Sequence, residues 1–105
     1  MRARHKLIVL FLLSLVSFKT FAAERDLEEA ISHSDDFGRY KAAFLKATQD
    51  LIQSKKCSIS DFEEMGGWVK STTTYNDEPV YFIYCGGLAV TNRIYLDVSS
   101  GKIFH

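Results

Sequence analysis

The amino-acid sequence predicts an α+β fold, in which an N-terminal helix packs on a three- to four-stranded antiparallel meander sheet and is stapled to it by one disulfide. Three observations carry this. The composition shifts once, near Cys57, from residues rich in Ala, Glu, Asp, Lys and Leu to residues rich in Thr, Tyr, Val and Gly, the order expected when helix precedes sheet. Apolar positions recur at helical spacing before that point and alternate or run together after it. The only two cysteines, Cys57 and Cys85, stand at the shift and inside the strand-rich half.

The first 22 residues read as a secretory signal peptide. Arg2, Arg4 and Lys6 form a basic start, "LIVLFLLSLVSF" is an apolar run of 12 residues, and "KTFAA" ends in small residues. The run is short of the about 20 apolar residues that cross a bilayer. Cleavage after about Ala22 is therefore expected, with an uncleaved anchor as the competing reading. Residues 23–105 then form a single exported domain, periplasmic or secreted, with no stable membrane insertion after cleavage. Beyond residue 22 the chain holds 9 basic against 13 acidic residues. It lacks the basic stripe with interleaved aromatics of a nucleic-acid binder, so no nucleic-acid partner is expected.

In the helical half, Leu27, Ala30 and Ile31 keep helical spacing, as do Phe37, Tyr40, Phe44, Thr48, Leu51 and Ile52. Between them "SHSDDFG" holds two candidate N-caps, Ser34 and Asp36, and a glycine. The expectation is a short helix, a break near Ser34 and a main helix to about Ser54; the alternative is one continuous helix. After Cys57, "SDFEEMGG" predicts a short helical segment with Ser60 and Glu63 as a capping box and Gly66 as its left-handed stop.

From Trp68 onward the signals are for strands. "WVKSTTTY" is rich in β-branched and aromatic residues, "NDEP" is a turn, and "VYFIYC" is continuously apolar. "GGLAVTN" reads as a loop or irregular strand. "RIYLDV" alternates, with Ile94, Leu96 and Val98 on one face. "SSG" suits a three-residue hairpin loop with Gly101 in the left-handed position, and "KIFH" is the closing strand.

Two cysteines in a small exported chain point to a disulfide, here closing a loop between Cys57 and Cys85. If that bond fastens the end of the helix to the end of the strand, Tyr81, Ile83 and Cys85 face the helix. Val80, Phe82 and Tyr84 then face away, and that second face is still apolar, whereas a sheet covered on one side normally shows polar residues on its open side. The candidate partner-binding residues are therefore Val80, Phe82 and Tyr84 with Trp68 and Tyr75, because aromatic side chains bury much area with few rotatable bonds. The expected partner is an envelope protein or a second copy of the chain.

Rival chemistries lack residues. A cysteine nucleophile needs a nearby base, and beyond residue 22 the only imidazoles are His33 and His105. Two cysteines and two scattered histidines do not supply an orderly zinc set, so no catalytic residue, metal or cofactor is expected. The leading reading is a non-catalytic binding domain, as an inhibitor, an immunity-type antidote or an accessory subunit. The alternative is a carrier with a small-molecule or peptide pocket between helix and sheet.

"YLDVSSGKIF", Tyr95 to Phe104, resembles the closing hairpin of PepSY domains, small exported helix-plus-sheet modules often associated with peptidase regulation. The likeness covers one strand, turn and strand and carries over no functional residue.

Overall fold

A computed structural model describes residues 24–105; the expected signal segment lies outside the described residues. Among the described residues three α-helices precede a four-stranded antiparallel sheet. Helix α1 covers residues 24–30 of the described chain, α2 runs Phe37–Gln53 and α3 Ile59–Met65. The strands are β1 (Val69–Lys70), β2 (Val80–Tyr84), β3 (Arg93–Asp97) and β4 (Lys102–Phe104), in the sheet order β1-β2-β3-β4. No helix among the described residues is long and apolar enough to cross a membrane.

The break expected near Ser34 separates α1 from α2, but neither candidate cap acts as one. Ser34 is buried, donates its hydroxyl to the Ile31 carbonyl at 2.6 Å and accepts the Trp68 N–H at 2.8 Å. It ties the interhelical turn to the start of the sheet. Asp36 occupies the N-cap position of α2 in a left-handed conformation (φ 56°), and its carboxylate accepts the Tyr81 hydroxyl at 2.5 Å instead of an α2 amide. Helix α2 bends at Tyr40, whose backbone leaves helical geometry. Its buried positions, Phe44, Ala47, Thr48 and Leu51, recur every three or four residues and form one stripe.

The cap of helix α3 lies two residues earlier than expected. Ser58 is the N-cap and Asp61, three residues on, accepts the Ser58 N–H at 2.8 Å; Ser60 and Glu63 do not form the box. Gly66 stops the helix with φ 79°, as expected. Gly67 is required for a different reason. A Cβ there would meet the Ser34 hydroxyl at 2.1 Å and the Ile31 carbonyl at 2.8 Å, so only glycine lets the turn after α3 close on the turn after α1.

"WVKSTTTY" yields only the two-residue strand β1 rather than a full strand. The reason is local: Lys70 Nζ donates to the Ser71 carbonyl at 2.6 Å, Tyr75 at 3.3 Å and Asn76 at 3.4 Å, curling the segment into a loop. The final hairpin pairs Asp97 with Lys102, so residues 98–101 connect it, one more than expected, with Gly101 at φ 77°.

Register divides the sheet into two faces. Tyr81, Leu96 and Ile103 share one row, and Ile83 and Ile94 the next. These residues face the helices and join Phe44, Leu51, Phe62 and Trp68 in the core. Phe44 stacks on Trp68 and meets Tyr81 edge-on, with ring centroids 6.1 and 5.1 Å apart. The indole N–H donates to Thr48 Oγ1 at 3.1 Å, so the one polar atom of this buried ring has a partner. The disulfide joins Cys57, between α2 and α3, to Cys85 just past β2, with Cα atoms 5.1 Å apart.

Candidate functional site

The opposite face of the sheet is aromatic. Phe82, Tyr95 and Phe104 sit in one row across β2, β3 and β4, and Tyr84 pairs with Arg93 in the next. Tyr75 comes from the loop after β1 and lays its ring edge-on to Tyr95 and Phe104, at 5.2 and 5.5 Å. Tyr95 and Phe104 stack at 5.4 Å, and Phe82 meets Tyr84 and Tyr95 at 5.5 and 6.2 Å. All five rings are half-buried, in contact with one another yet accessible.

Arg93 completes this face. Its guanidinium lies 4.3 Å from the Phe82 ring centroid and 5.2 Å from that of Tyr84, and its Nε donates to the Tyr84 hydroxyl at 2.8 Å. A cation over aromatic rings is attracted by their quadrupoles, and a planar guanidinium gains by stacking as well. The neighbouring hydroxyls of Tyr95 and then Tyr84 hold it more firmly protonated. Farther along, Lys102 Nζ stands 5.9 Å from the Phe104 ring.

Of the five residues expected to bind a partner, three lie on this face and two do not contribute accessible surface. Phe82, Tyr84 and Tyr75 are brought together. Trp68 is on the wrong side: Lys70 pairs with Tyr81, so Trp68, two residues before it, shares the helix-facing side and is 0 % exposed. Val80 is 2 % exposed and stands outside the inner core, at the end of the sheet where the loop carrying Tyr75 returns over the outer face. Arg93, Tyr95 and Phe104 belong to the face but were not singled out from sequence. The signal for them was available in the alternation of "RIYLDV", which puts Arg93 and Tyr95 opposite Ile94 and Leu96.

A second accessible feature borders the first. Between Tyr84 and Arg93 the chain makes a loop whose Leu88 and Val90 are 72 % and 68 % exposed. The loop is braced: Cys85 N–H donates to the Asn92 carbonyl at 3.1 Å, the Asn92 side chain donates to the carbonyls of Gly86 and Gly87 at 3.3 Å, and the Gly86 N–H reaches Asp61 at 3.2 Å.

Burial by itself pushes the Asp61 carboxyl up, but hydrogen bonds from the Ser58 and Gly86 N–H groups and the Ser58 hydroxyl outweigh it and hold its pKa below the ordinary value. One Asp61 oxygen and the two cysteine sulfurs lie within 4.8 Å of one another. That grouping is not a metal site in the oxidised protein, because both sulfurs are bonded to each other and the carboxylate is taken by those donors. Burial, then the hydrogen bond and negative charge of Asp36, raise the Tyr81 phenol well above its usual range, so it remains a neutral donor to that carboxylate.

Cys85 offers no thiolate, being disulfide-bonded. The space between α2 and the sheet is filled by Phe44, Trp68, Tyr81, Ile83 and Leu96, all buried. A cleft of about 460 Å³ does exist, but Ala30 of α1, His33 and Glu63 of α3 line it, away from the helix–sheet interior. Comparison with known protein families, curated proteins and solved structures found no match.

Proposed function

We propose that this chain is a small exported domain that acts without catalysis, by binding a protein partner in the cell envelope through the outer face of its sheet. The observation that carries the reading is the five-ring face capped by Arg93: a one-layer sheet normally turns polar residues outward, and this one presents aromatic area. Aromatic residues and arginine are the side chains that dominate binding energy at protein interfaces. The filled helix–sheet interior favours such surface binding over a ligand pocket at that position.

The test compares recovery of proteins from envelope extract by immobilised wild type, Phe82→Asp and Gln53→Glu, a substitution on exposed α2 surface. A partner of this face is recovered by wild type and Gln53→Glu and lost with Phe82→Asp, after circular dichroism shows that all three are folded. Equal recovery by all three, or recovery by none, counts against the proposal. Sedimentation of the same proteins separates a second copy of the chain from a different partner.

A further inference from the structure

Among the described residues Arg93 is the one cation over the rings at the Tyr84 end of the sheet, with its guanidinium carbon 4.3 Å from the Phe82 ring centroid and its Nε bonded to the Tyr84 hydroxyl. The contact with Phe82 and the bond from Nε to the Tyr84 hydroxyl hold the guanidinium at this end of the face. Among the described residues the ion pairs are Lys41 with Glu28 and Lys46 with Asp50, both on helices, so no carboxylate there pairs with Arg93. The only acidic side chain in the outer rows of the sheet, Asp97, stands beside Lys102 and accepts the Ser99 N–H and hydroxyl at 2.9 and 2.5 Å. A guanidinium held over a ring and bonded through its Nε has terminal nitrogens with which to receive a carboxylate.

We infer that the segment bound by this face carries a carboxylate, which pairs with the terminal nitrogens of Arg93 while an apolar neighbour of that carboxylate lies against Phe82 and Tyr84. The inference rests on the protein-binding reading above and names the chemistry of the partner. Charge supports a carboxylate over a phosphate: phosphorylated segments are held by clusters of arginines, whereas Arg93 stands alone at this end, with Lys102 two outer-face rows away by register. Charge also makes the site selective. Beyond residue 22 the chain is acidic, with 13 acidic residues against 9 basic, so an acidic segment is repelled by most of the surface and attracted here. The apolar Leu88 and Val90, on the braced loop that springs from the same end of the sheet, extend the contact for the segment's apolar flank.

The experiment uses two tripeptides, acetyl-Leu-Asp-Leu-amide and acetyl-Leu-Asn-Leu-amide, titrated into the ¹⁵N-labelled protein and followed by nuclear magnetic resonance, including the Arg93 Nε–H signal. The expected result is saturable shifts at Arg93, Phe82, Tyr84 and Tyr95 with the acidic peptide and affinity about fivefold weaker with its amide twin, the size of an exposed ion pair. Arg93→Gln is expected to bind the two peptides alike. Equal affinity of wild type for both peptides, with shifts confined to this face, overturns the carboxylate while leaving the protein-binding reading intact. Shifts elsewhere, or none with either peptide, overturn both. If dilution without peptide moves the same signals, a second copy fills the site and the assignment of an acidic partner segment fails.

Discussion

Replacing both cysteines by alanine removes the covalent link between the α2–α3 junction and the end of β2. The two residues are 28 apart in sequence, and on the chain-entropy relation the closed loop restricts the unfolded chain by roughly 3.5 kcal/mol. For a domain of this size each kcal/mol moves the melting temperature by about 4–8 °C, so the double variant should melt roughly 14–28 °C lower. Because the loss arises mainly in the unfolded ensemble, the native packing should survive at low temperature. The hydrogen bonds of Trp68 with Thr48 and Ser34, and of Tyr81 with Asp36, hold the core around Trp68 and Phe44 without the disulfide. Differential scanning calorimetry of Cys57→Ala/Cys85→Ala measures the shift, and near-ultraviolet circular dichroism at low temperature checks that Trp68 keeps its environment. A fall of less than about 5 °C would refute the reasoning, since it would mean that the unfolded chain is already restricted or that the bond strains the native state.

Two further substitutions examine how the pieces are joined. Gly67→Ala drives a methyl into the Ser34 hydroxyl and the Ile31 carbonyl and should destabilise the protein by more than about 2 kcal/mol in urea denaturation, as overpacking combined with a lost buried hydrogen bond does. Gly38→Ala, inside α2 with open space around its Cβ position, should instead stabilise it by up to about 1 kcal/mol; equal effects at the two glycines would contradict the close-approach argument. Asp61 governs an acid limb. Its folded pKa is depressed, so its contribution is present above the unfolded value of about 4 and is lost as pH falls through the folded value. Stability curves of wild type and Asp61→Ala should differ at neutral pH and converge below about pH 4, and parallel curves would show that Asp61 is not the group responsible.

The sequence disclosed most where two signals constrained the same residues. The Cys57–Cys85 pair and the alternation of β2 together fix which side of that strand meets the helices, and Tyr81 and Ile83 do lie in the core while Phe82 and Tyr84 lie opposite. Where one signal acted alone, it was ambiguous. Ser58 with Asp61 and Ser60 with Glu63 are overlapping capping boxes two residues apart, and local pattern does not rank them. The structure chooses Ser58 because Asp61 then also receives the Gly86 N–H, a contact made through the fold. Trp68 failed for a related reason. β1 is too short to display alternation, so the face of Trp68 depends on the Lys70–Tyr81 register, which no residue near Trp68 announces. Val80 could be assigned to the outer side but not to burial there, because the returning loop is shaped by Lys70 bonding to backbone carbonyls.

The two faces of the sheet use aromatic rings to opposite ends. On the inner side the two buried rings that carry a polar atom have it matched: the Trp68 indole N–H by Thr48, the Tyr81 hydroxyl by Asp36. Those matches cross from sheet to helix and so specify how the layers dock. On the outer side the rings touch mainly one another, and the Tyr84 hydroxyl turns to Arg93, a neighbour in the same sheet. The inner set therefore explains how the domain holds together. The outer set adds stacking energy to a sheet whose register is already fixed from within, and it retains accessible aromatic area beside an oriented cation. Stability alone would be served by an outer face of Thr and charged side chains, which expose less apolar surface and meet the same β propensity. Rings and a guanidinium kept there instead are what the proposed burial of that face against another protein requires.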